Sequence, residues 1–100
     1  MLIEVVIDED KIRSGIIADC WHCPGAKAIN EHIKRPYLVG LFDGGIYIYN
    51  APKYASFLYI CKMPNILKDF VSGFDKRQDV RPIAFTIEIP DMYLKDKNDR

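Results

Sequence analysis

Tyr37-Leu38-Val39-Gly40-Leu41-Phe42-Asp43-Gly44-Gly45-Ile46-Tyr47-Ile48-Tyr49-Asn50 reads as two strands folded back on each other. Two apolar runs, 37–42 and 45–50, flank Asp43-Gly44. A tight turn between antiparallel strands needs positive φ, which Asp-Gly adopts at low cost. The loop holds two or three residues. In the second run Ile46 and Ile48 alternate with Tyr47 and Tyr49, so each pair takes one face of the sheet.

Working outward from this hairpin, Asn50-Ala51-Pro52-Lys53 supplies a further turn. Residues 54–63 then read as a third consecutive strand, with Phe57, Tyr59 and Cys61 facing one way and Leu58 and Ile60 the other. Upstream, Pro24 suits the first position of a helix that runs through Ala26, Ile29 and Ile33 to Arg35, where Pro36 stops it. Residues 2–7 alternate as a strand, and Asp8 caps a short helix over 9–14 with Gly15 at its exit. Downstream, Pro64-Asn65 opens a helix whose Ile66, Leu67, Phe70, Val71 and Phe74 recur at helical spacing. Ile83, Phe85, Ile87 and Ile89 then alternate as a half-buried strand.

The resulting order is β-α-α-β-β-β-α-β. It defines an α+β fold of about five mostly antiparallel strands in one sheet, with two or three helices packed on one face. Its 100 residues, 49% hydrophobic and 28% charged, suit one core. Residues 1–94 form that single domain, and 95–100 read as a polar tail. No apolar run approaches the roughly 20 residues of a membrane helix. Met1-Leu2-Ile3-Glu4 lacks the basic start of a signal peptide, so a cytoplasmic protein is expected. Its 14 basic and 14 acidic side chains cancel, which argues against nucleic acid or anionic lipid as partner.

The densest chemistry lies in Asp19-Cys20-Trp21-His22-Cys23-Pro24, where Cys-x-x-Cys, a histidine and a helix start coincide. Three cysteines cannot all pair within one chain, so free thiols are expected. A thiol-redox site would use the helix N-terminus to favour a thiolate. A zinc site would take Cys20 and Cys23 at knuckle spacing and needs two more ligands, for which Cys61 and His32 are the candidates. The architectural reading makes Cys20 and Cys23 small buried groups at a helix entry, Trp21 a partly exposed packing residue and Asp19 a loop acceptor. That reading is preferred, and no cofactor is expected. Cys23 and His32 on one helix would stand about 13 Å apart, too far for a nucleophile and its base. The common hydrolase, phosphate-loop, zinc-protease and dinucleotide motifs are all missing, and catalysis is not expected.

The segment Asp19-Cys20-Trp21-His22-Cys23-Pro24-Gly25-Ala26-Lys27-Ala28-Ile29 and the segment 74–85 (Phe-Asp-Lys-Arg-Gln-Asp-Val-Arg-Pro-Ile-Ala-Phe) fit D-C-x-x-C-P-x-A-x-A-I and F-D-x4-V-x-P-x-x-F. Together they resemble small proteins of bacteria and their phages that share these two patterns. The resemblance implies a bacterial or phage genome and carries no functional residue with it.

The remaining signal is aromatic. Tyr37, Tyr47, Tyr49, Tyr54 and Tyr59 fall on neighbouring strands. If helices cover the isoleucine face, these tyrosines line the open one, and tyrosine is enriched in binding surfaces. The expected function is a non-catalytic module that meets a protein partner, or a copy of itself, through that face or an exposed strand edge. In a phage setting it would act on a host protein. The alternatives are a zinc-stabilised or thiol-active protein, and a small-ligand or nucleotide binder that joins the tyrosines to the modest basic spot Lys76, Arg77 and Arg81.

Overall fold

The computed structural model describes residues 1–50 and 53–95, with the backbone alone over 53–57. The elements are β1 (Leu2–Ile7), α1 (Glu9–Ser14), α2 (Pro24–Asn30), β2 (Tyr37–Phe42), β3 (Gly45–Asn50), β4 (Lys53–Lys62), α3 (Asn65–Asp75) and β5 (Ile83–Glu88), followed by a single 3-10 turn over Asp91–Tyr93. This is the expected α+β order. The strands divide between two antiparallel sheets rather than joining in one. β1 pairs with β5, Leu2 opposite Glu88 and Ile7 opposite Ile83. β2, β3 and β4 form a meander.

The two-sheet division follows from α2. Pro24, Gly25, Ala26, Ala28 and Ile29 are all buried, so this helix is apolar nearly all round and must be covered on several sides. It touches β1, β2, α1 and α3. Val5, Ile7, Ile29, Val39, Ile46, Leu67 and Ile89 form the best-buried part of the shared core, each contributing roughly 1.5–3 kcal/mol.

Local chemistry explains most element ends. The Lys11 amide donates to Asp8 Oδ1 at 3.0 Å, capping α1. Asp43 and Gly44 take φ of 52° and 72°, so the hairpin loop has two residues, in the twist that matches its strands. The turn expected at Asn50–Lys53 includes 51 and 52, which lie outside the described residues, as do 96–100 of the polar tail. Lys95 itself donates its amide to the His32 carbonyl at 3.0 Å.

Three expectations are corrected. The second helix stops at Asn30, five residues before Arg35, because the chain tightens there: His32 N donates to Ile29 O and Ile33 N to Asn30 O. Ile33 is still buried, but through a bridge to Leu94. Ile66 is 48% exposed and leaves the α3 stripe that Leu67 and Phe70 bury. In β4, Cys61 pairs with Ile46 while Tyr59 pairs with Tyr47. Ile60 is therefore an extra residue, a bulge that breaks the expected shared face of Tyr59 and Cys61.

Candidate functional site

Register separates the two faces of the meander. Tyr37, Val39 and Leu41 stand opposite Asn50, Ile48 and Ile46, on the face that α2 covers. Leu38, Gly40 and Phe42 stand opposite Tyr49, Tyr47 and Gly45, on the other face. Tyr37 is thus not a neighbour of Tyr47 and Tyr49. It packs against Tyr93, ring centroids 4.9 Å apart. Tyr54 falls in the stretch whose side chains lie outside the described residues.

The second face is not fully open, because the loop before α2 crosses onto it. Asp19 builds the crossing: its Oδ1 accepts from the Trp21 and His22 amides at 2.9 and 3.0 Å, and its carbonyl accepts from Cys23 N at 3.1 Å. His22 Nδ1 lies 3.0 Å from Asp19 Oδ2. The Leu41 amide donates to Cys20 O at 2.9 Å, which ties the loop to the β2 edge, and Ala18 N donates to Asp75 Oδ1 at 3.1 Å, which ties it to α3.

The indole so delivered lies on Gly40, where a Cβ would fall 2.5 Å from Trp21 Cε3 and Cζ3. Trp21 meets Tyr49 edge-on at 4.3 Å and Phe42 at 5.9 Å. Phe42 in turn stacks on Tyr47 at 4.2 Å, and Tyr47 meets Tyr59 at 5.5 Å. Tyr49 is consequently only 8% exposed, whereas Tyr59 is 52% exposed and Phe42 and Tyr47 are half-buried. The result is a run of five rings, closed at the Trp21 end and open at the Tyr59 end.

Sequence reasoning missed Phe42 and the covering role of Trp21. The available signal was Gly40, since a glycine inside a strand marks a close approach.

Beside this run lies a cleft of about 320 Å³ between the Asp19–Cys23 loop, the hairpin turn and α3. Cys20 and Cys23 both line it, with Asp43, Asp75 and Lys68. Cys20 is exposed, contrary to the expected burial, while Cys23 is buried. Its Sγ accepts from the Ala26 amide at 3.5 Å, so this thiol serves as the N-cap of α2. Burial, then the Asp19 carboxylate, pushes the Cys20 thiol above its ordinary range, and burial does the same for Cys23 and Cys61. These surroundings disfavour a thiolate.

Of the four candidate metal ligands, Cys20 and Cys23 share one turn, Cys61 lies on β4 against the core, and half-buried His32 follows α2. Among the described residues no three His, Cys, Asp or Glu side chains converge to hold a metal ion. Lys76, Arg77 and Arg81 are exposed on the turn between α3 and β5, where Arg81 lines a separate shallow groove with Ile66, Asp69 and Val80. No helix among the described residues is long and apolar enough to cross a membrane.

No family model, curated protein or solved structure matches this chain.

Proposed function

We propose that the chain is a non-catalytic binding module that engages a protein partner through the open end of the aromatic run, at Tyr59, Tyr47 and Phe42. One observation carries this reading: the rings are already packed against one another, yet Tyr59 keeps about half its surface in water. Ordered aromatic side chains of this kind bury large area on binding at little entropic cost. The β2 edge is a poor alternative, because the Asn30 side chain and the Cys20 carbonyl occupy its hydrogen-bonding groups at Val39 and Leu41.

The test compares wild type, Tyr59→Ala and the double variant Tyr47→Ala, Tyr59→Ala in quantitative affinity capture, with light scattering to detect self-association. A partner, or a second copy, should be retained by wild type and lost stepwise in the variants. Lys76→Ala, Arg77→Ala should behave as wild type. Retention of every partner by a folded double variant would defeat the reading.

A further inference from the structure

We propose that Cys20 and Cys23 form a reversible dithiol–disulfide pair whose closure withdraws the thiol cap of α2 and resets the turn that carries Trp21. The accessible thiol and the buried thiol line one cleft, so a small reagent reaches Cys20 first and finds Cys23 behind it. The two cysteines lie three apart on a turn closed by the Cys23 N to Asp19 O hydrogen bond. Side chains three apart on a helical turn have Cβ atoms about 5–6 Å apart, whereas a disulfide needs about 3.5–4.5 Å. The difference has to be taken up by the Trp21-His22 turn, against the hold of Asp19 on both amides.

Two consequences follow from the geometry. Closure that draws Cys23 Sγ toward Cys20 takes it out of its present place under the Ala26 amide. A turn drawn tighter also pulls on Trp21, whose indole has no slack against Gly40 and Tyr49. The pair therefore connects the redox state of the cleft to the closed end of the aromatic run. The connection holds whatever the open end binds.

The oxidant is a low-molecular-weight disulfide, RSSR. Cys20 loses its proton and attacks one sulfur, breaking the RSSR bond and releasing RS⁻, which takes up a proton. Cys23, also deprotonated, attacks the Cys20 sulfur of the mixed disulfide and expels the second RS⁻. Two protein thiols are oxidised by two electrons, and one RSSR becomes two RSH.

The experiment uses the Cys61→Ser chain with oxidised glutathione, read by intact mass and Trp21 emission. The expected product is lighter by about 2 Da, carries no glutathione, resists labelling at both cysteines and shows shifted emission, all reversed by a dithiol reductant. Cys23→Ser, which keeps a side-chain cap, should instead accumulate one glutathione on Cys20. A stable adduct on Cys20 while Cys23 is present, or two thiols left unmodified, would overturn the pair. Disulfide formation with unchanged emission would overturn its link to Trp21.

Discussion

Asn30 and Val39 hold each other by two hydrogen bonds: Asn30 Nδ2 donates to the Val39 carbonyl at 3.0 Å, and the Val39 amide donates to Asn30 Oδ1 at 2.7 Å. A side-chain amide thus takes the place of a neighbouring strand on the outer edge of β2. Val39 is fully buried, so its two polar groups have no easy recourse to water. Asn30→Ala is expected to cost about 2–6 kcal/mol, since each of the two orphaned buried groups costs roughly 1–3. Urea unfolding measures this, and a loss under about 0.5 kcal/mol would mean that water replaces the amide.

The seat of Trp21 can be tested by filling it. Gly40→Ala places a methyl group where the indole now lies, and should destabilise by about 1–3 kcal/mol, as overpacking does, with a red shift in emission. In a Trp21→Ala background the same change should be neutral or mildly stabilising, since alanine is the better strand residue. The coupling between the two sites is read from that cycle. Additive effects would show that the two side chains do not compete for space.

Acid should loosen the crossing loop. The Trp21 amide, and then His22, hold the Asp19 carboxyl below its ordinary value of 3.8, and the Lys11 amide does the same for Asp8. A carboxyl with a depressed folded-state pKa stabilises the fold above its unfolded value. That contribution disappears as pH falls through the folded one. Melting temperature should therefore drop as pH is lowered below about 4. Asp19→Asn should flatten the drop, and an unchanged slope in that variant would remove Asp19 from the account.

The thiols are shifted the other way, upward from their ordinary value. Asp19, Asp75 and Asp43 surround Cys20, with Lys68 as a cation on the same cleft. Alkylation of Cys20 should stay slow at neutral pH and accelerate only above the usual cysteine range. Buried Cys23 should lag behind it. Asp75→Asn keeps an acceptor for the Ala18 amide while removing a charge, and should speed the reaction at a given pH. A Cys20 that reacts fully at neutral pH would contradict this electrostatic reading.

How far the sequence could be read depended on whether a feature was local. The hairpin at Asp43-Gly44, the Asp8 cap and the Pro24 helix start are each decided by a few adjacent residues, and each stands where expected. The bulge at Ile60 is set by what lies across from it on β3, and the alternation of β4 alone gives no sign of it. The second helix ends early because the backbone tightens after Ile29, which the apolar spacing through Ile33 does not reveal. The aromatic site was half legible: Tyr47 and Tyr59 share a face, but the cover over Tyr49 comes from a loop whose path the spacing of residues does not encode. Cys20 was misplaced for the same reason, since nothing in Cys-x-x-Cys says which sulfur turns outward.

The separation of the strands into a meander and a ribbon also bears on how the chain reaches this state. β2 and β3 meet across a two-residue loop, while β1 finds β5 only when nearly the whole polypeptide has been gathered in. Closing so long a loop costs more entropy before any contact offsets it. Pulsed hydrogen exchange during refolding should therefore protect Tyr47 and Tyr49, whose amides face β2, before Val5 and Phe85. The Leu2–Ile7 strand is then the last piece to lock, and mutations confined to β1 should speed unfolding while leaving the refolding rate almost unchanged.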